Sequence, residues 1–89
     1  MTTAQTIAEK VAAGRRMIFF VMKTQTNDAG EYRALIAVEG ERGYFLTDWF
    51  WGNDYELATK IADERNADMG IDKKAAMLIQ LRTMRPGGG

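Results

Sequence analysis

The side chains best suited to hold a ligand or a partner are crowded into one short run. Tyr44-Phe45-Leu46-Thr47-Asp48-Trp49-Phe50-Trp51 carries five of the chain's nine aromatic rings in eight positions. Such rings bury much apolar area at little rotamer cost and keep a polar edge, which is why they dominate binding hot spots. Asp48, Trp49 and Trp51 are the binding candidates of this run. The plainer use of the same residues is structural, with alternate rings filling the core and the others covering a sheet edge. An extended chain sends neighbouring side chains to opposite faces, so one tryptophan is expected in the core and the other as an exposed anchor. Arg65 is the fourth candidate. It falls near the middle of an apolar helical arc, where a guanidinium needs a carboxylate or a route to water. Asp48 is its expected partner. Snorkelling from the last helical turn, which suits the helix dipole, is the simpler account.

Other chemistry is bounded by what the composition lacks. The chain has no Ser, His or Cys, which removes Ser and Cys nucleophiles, His bases, disulfides and ordinary zinc sites together. An amino-terminal Thr2 nucleophile would need an activating neighbour that nothing in the sequence marks, and Asp54 with Glu56 suits the first turn of a helix better than a glycosidase couple. Glu64, Asn66 and Asp68 ahead of Gly70 resemble the start of a calcium loop. Met69 stands where that loop needs glycine and Ala75 where it needs a bidentate glutamate, so helix capping is the better reading. No enzyme activity, metal or cofactor is expected.

Charge narrows the partners further. Twelve basic and twelve acidic side chains cancel, which weakens the case for nucleic acid or a membrane surface. The charge is nevertheless segregated: residues 1–26 sum to +3, residues 27–72 to −7 and residues 73–89 to +4. Lys73, Lys74, Arg82 and Arg85 are spread around their helix and form no single stripe. The longest apolar run, Met17 to Met22, is far short of the roughly 20 residues that span a bilayer. The start of the chain lacks the apolar core of a signal peptide, so a cytoplasmic location is the default.

The elements that must position these residues follow from period and punctuation. Ala4, Ile7, Ala8, Val11 and Ala12 recur at helical spacing behind a possible Thr2 and Gln5 capping box, until Gly14. Arg16 to Lys23 reads as a central strand apolar on both faces, and Tyr32 to Val38 as a second strand beyond the polar turn Gln25 to Gly30. Glu39 to Gly43 is a hairpin connection and Tyr44 to about Trp49 the third strand. Gly52 breaks it, and Asn53 with Glu56 predicts the cap of a helix whose apolar arc holds Tyr55, Leu57, Ala58, Ile61, Ala62 and Met69 and which Gly70 ends. Asp72 caps a last helix running to about Arg85, with Met77, Leu78, Leu81 and Met84 on one side and Ala75, Ala76 and Ile79 on much of another.

The expected fold class is α+β: an α-β-β-β-α-α order with a three-stranded antiparallel sheet packed by helices, in one domain over residues 1–85, followed by a flexible tail at 86–89. A chain of this size buries only roughly 60–65% of its unfolded surface. A first strand apolar on two faces and a last helix apolar on two sides exceed what it can cover, which predicts a homodimer or a protein partner.

The α-β-β-β-α order is shared with double-stranded-RNA-binding domains, but their lysine-rich helix start is replaced here by Asn53-Asp54-Tyr55-Glu56 and their loop histidine has no counterpart. Gly43-Tyr44, Trp51-Gly52, Ala58, Ala62, Asn66, Gly70 and Ala76, over residues 44–79, resemble small uncharacterised proteins of phages, plasmids and proteobacterial genomes. That resemblance implies a non-catalytic interaction role, such as binding and inhibiting a host protein like a defence nuclease. The alternatives are a nucleic-acid-binding regulator using the basic ends and a small-ligand sensor at the aromatic junction.

Overall fold

The computed structural model describes residues 14–83 together with Ile7, Glu9, Val11 and Ala12. The expected leading helix, the end of the last helix at Met84 and Arg85, and the tail lie wholly or mostly outside the described residues. Within them, three strands and two helices follow one another as β-β-β-α-α, an α+β fold: β1 (Met17–Phe20), β2 (Arg33–Val38), β3 (Phe45–Phe50), α1 (Tyr55–Asp68) and α2 (Lys73–Thr83). The strands form one antiparallel meander in the order β1-β2-β3.

The central strand is β2. All of Ala34 to Val38 is buried, on both faces, whereas the apolar run at Arg16–Lys23 contributes only four residues and an edge position. Two successive hairpins necessarily put the second strand in the middle, and that geometry overrides the apolar density of the first. Asn27 builds the turn between them, its Oδ1 accepting from the N–H groups of Ala29 (3.0 Å) and Glu31 (2.9 Å). The β2–β3 connection bends at Gly40, whose φ of 86° suits glycine alone.

Helix starts are set by side-chain caps. Asp54, not Asn53, accepts from the Leu57 N–H (3.2 Å), moving the cap one residue on from the expected position. Asp72 accepts from the Ala75 N–H (2.8 Å) as anticipated. Gly70 (φ 80°) turns the chain out of α1, with the Gly70 N–H on the Ala67 carbonyl and the Ile71 N–H returning to the Asn66 carbonyl.

Helix α2 covers one face of the sheet. Ala76 and Ile79 join Ile18, Phe20, Leu35, Ala37 and Ile71 in a continuous core. Helix α1 packs chiefly against β1, and its buried residues are only Ala58, Ala62 and Asn66. The wider expected arc does not close: Leu57 and Met69 are exposed. One row of small side chains brings a helix close to a strand edge, and larger neighbours on either flank are then left outside. The last helix is apolar on two sides as read, yet only Ala76, Ile79 and Thr83 are buried, while Met77, Leu78 and Leu81 are 60%, 48% and 62% exposed.

An ion pair closes the start of β1 on the end of β2. Arg16 Nη2 lies 2.8 Å from Glu39 Oε2, and the Glu39 N–H donates to the Arg16 carbonyl (2.8 Å). The hydrogen bond and charge of Arg16 hold the Glu39 carboxyl below its ordinary value. A carboxyl that is more acidic when folded contributes its stability above the ordinary carboxylate range and loses it as pH falls through the lowered value. Thermal melts of the parent and of Glu39→Gln are therefore expected to converge as pH falls below the ordinary glutamate value of about 4.3 and through the lowered one. The difference at neutral pH is small because the pair faces water. An acid-independent gap between the two proteins would contradict this assignment.

Candidate functional site

The strongest candidate site is a cleft of about 320 Å³ lined by Phe19, Trp49, Trp51 and Arg65. It brings together three of the four residues singled out in the sequence. Trp49 and Trp51 stand two apart and therefore share a face, and both meet the Phe19 ring: its centroid lies 6.1 Å from that of Trp49 and 5.8 Å from that of Trp51, the latter edge-on. The expected split between a core and an exposed tryptophan is replaced by one of degree. Trp49 is 57% exposed and Trp51 half-buried. None of the five rings of the 44–51 run is fully buried; Tyr44 packs against the core, edge-on to Phe20 at 5.7 Å between centroids.

The way β3 presents these rings depends on an irregularity in its pairing. Leu35 faces Leu46 and Arg33 faces Phe50, so Ala34 alone stands opposite Thr47, Asp48 and Trp49. Two residues are extra on β3. Thr47 stabilises the bulge, its hydroxyl donating to the Ala34 carbonyl (2.7 Å) and accepting from the Trp49 N–H (3.1 Å). An even insertion preserves the alternation, which leaves Trp49 and Trp51 on the face of Phe19.

Asp48 does not join the cleft, and it is not the partner of Arg65. Its side chain is fully exposed, and its ion pair is with Arg33 at 3.6 Å. Arg33 also donates to the Thr47 carbonyl and lies over the Phe50 ring, 4.7 Å from its centroid. This cation sits on the face opposite the tryptophans, because Arg33 and Phe50 pair across the strands on the side of Leu35. Bulge residues turn outwards at the strand surface, which is why sequence proximity to the rings misleads for Asp48.

Arg65 is positioned from α1 by its neighbour. Ile18 and Phe20 direct their backbone groups towards β2, which leaves the N–H and C=O of Phe19 pointing out of the sheet edge. The Asn66 carboxamide meets both: Oδ1 accepts from the Phe19 N–H (2.7 Å) and Nδ2 donates to the Phe19 carbonyl (3.0 Å). Asn66 is 2% exposed. The pair of bonds fixes the rotation of α1 about its axis, and that rotation places Arg65 at the rim of the cleft. Arg65 is exposed there, with no ion pair among the described residues, so the cleft presents an uncompensated positive charge beside apolar walls.

Sequence reasoning assigns no site role to Phe19 or Arg33, and reads Asn66 only as a helix-capping residue and as part of the 44–79 pattern. The signal for Asn66 was present in the spacing Ala58, Ala62, Asn66, where a polar residue completes a row that is otherwise alanine. For Arg33 the sequence offers only its place in the alternation of β2.

Among the described residues, no three acidic side chains gather in a geometry that could hold a metal ion, and no helix is long and apolar enough to cross a membrane. No family model, curated protein or solved structure matches the chain.

Proposed function

We propose that the chain is a non-catalytic protein-binding module of a phage or mobile element, which anchors a host protein in the Phe19, Trp49, Trp51 and Arg65 cleft and blocks it. The observation that carries the reading is the convergence of exposed indole surface with an unpaired guanidinium, the two residue types most enriched where binding energy concentrates. The resemblance to small phage and plasmid proteins supports the class of partner, a defence nuclease being one example. A partner residue suited to this cleft pairs an apolar group with a carboxylate, which would meet Arg65 in a partly desolvated setting.

Capture from a bacterial host lysate, read by mass spectrometry, tests the proposal. One protein should be retained by the parent chain and lost with Arg65→Glu, whose reversed charge leaves the exposed position free to fold. Retention unchanged by that substitution would remove the cleft as the anchor. Self-association belongs to the same reading, since Trp49 and Leu57 are both large and more than half exposed. Light scattering of a homodimer should give about twice the 10.0 kDa of one chain. A second reading draws on the cleft volume, which reaches the lower end of small-ligand sites, roughly 300–1,000 Å³. A small anion that raises the melting temperature of the parent, and not that of Arg65→Glu, would favour a ligand sensor.

A further inference from the structure

The outer side of α2 is a second surface, remote from the cleft in its chemistry. Met77, Leu78 and Leu81 are all about half exposed or more. At 100° per residue Lys74 and Leu81 lie opposite the buried row of Ala76, Ile79 and Thr83, with Met77 and Leu78 on either flank. Leu78 forms one lip of a groove between α2 and the β2–β3 hairpin, where Arg42 and Arg82 stand with Glu41 and with the paired Arg16 and Glu39. Sequence Lys73–Thr83 contains no acidic residue. Lys73 is tied to Asp63 at 3.7 Å, while Lys74, Arg42 and Arg82 make no ion pair among the described residues.

We propose that this face docks an acidic amphipathic helix of a partner protein, its apolar side on Met77, Leu78 and Leu81 and its carboxylates on Lys74, Arg42 and Arg82. The charge decides between occupants. A second copy meeting the same face two-fold would set α2, basic and without an acidic residue, against itself, whereas an acidic helix offsets the surplus of Lys74, Arg42 and Arg82 over Glu41 as it covers the leucines. Three apolar side chains at i, i+1 and i+4, over little more than one turn, form a patch on which a partner helix can lay its stripe. A homodimer formed through the cleft side leaves this face open. The proposal therefore does not depend on the function assigned to the cleft.

The test uses the full chain and two synthetic helical peptides of equal length with the same leucine stripe, one with glutamates and one with lysines on its other side, followed by fluorescence anisotropy. The glutamate peptide should bind at least ~10-fold more tightly than the lysine peptide, and its affinity should fall as salt is raised. Leu81→Asp should weaken binding by ~10-fold or more while the circular dichroism spectrum is unchanged, and Arg82→Glu should do so without touching the apolar stripe. Trp49→Ala should bind as the parent does. Equal binding of the two peptides, absence of binding, or indifference to both Leu81→Asp and Arg82→Glu would overturn the proposal. Loss of peptide binding in Trp49→Ala would overturn it too, by moving the site to the cleft. A dimer in light scattering that Leu81→Asp dissolves would assign the face to a second copy instead. Co-sedimentation with phosphatidylserine vesicles in the absence of peptide binding would assign it to a lipid surface.

Discussion

Replacing Asn66 by Ala is expected to destabilise the fold by about 2–5 kcal/mol, because it strips partners from two backbone groups at once. The Phe19 N–H and carbonyl both end on this one carboxamide, which is almost wholly buried. Without it each group stays out of reach of both β2 and water, at about 1–3 kcal/mol apiece. For a small domain whose whole stability is about 5–10 kcal/mol, that approaches global unfolding. A near-isosteric change sharpens the test. In Asn66→Asp one oxygen still accepts from the Phe19 N–H, but the other now faces the Phe19 carbonyl. Burial and that oxygen raise the folded carboxyl above its ordinary value of about 3.9. The protonated acid can donate to the carbonyl, so this variant should be most stable in mild acid and weaken as pH rises through the raised value. Urea unfolding near pH 4 and near pH 7 reads the difference. An Asp variant as stable as the parent at neutral pH would mean that the donor half of the carboxamide does not matter.

The second large effect concerns association. Trp49→Ala should weaken partner binding by about 2 kcal/mol or more, roughly 30-fold, while lowering stability by less than about 1 kcal/mol. Trp51→Ala, which removes a half-buried ring packed edge-on against Phe19, should cost stability as well, about 1–2 kcal/mol. Both of the chain's tryptophans line the cleft. Intrinsic tryptophan emission therefore reports this site without a label, and partner binding should shift or quench it. If both variants unfold, the rings serve the fold; if neither changes affinity or emission on binding, the anchor lies elsewhere and the α2 face becomes the place to look.

How far the sequence discloses this molecule depends on whether the information is local. Strand and helix positions, the glycine stop at Gly70 and the cap at Asp72 are legible because each rests on a few consecutive residues. The order of strands in the sheet is also readable from two short connections, although the apolar density of Met17–Met22 suggests a central strand where an edge strand is found. Convergence of Trp49, Trp51 and Arg65 could be suspected from residue type. The role of Phe19 could not, since it depends on α1 lying along β1. Asp48 was misassigned for a related reason. Its neighbours in sequence are the tryptophans, but a bulge turns it outwards and Arg33 reaches it from the next strand. The burial of Asn66 is the clearest case of a long-range determinant: 47 residues separate it from the strand it completes.

The two surplus residues of β3 opposite Ala34 also constrain how such a chain can change in length. Each single deletion or insertion between Leu46 and Trp49 would reverse the parity of everything downstream, carrying both indoles to the face of Arg33 and leaving Phe19 without either ring. Removing two residues would restore the parity, with a regular ladder in place of the bulge. Length variation at this point in descendants of the sequence should therefore come in steps of two. A library of one-residue and two-residue deletions across Thr47 and Asp48 would show the same even–odd rule in its survivors.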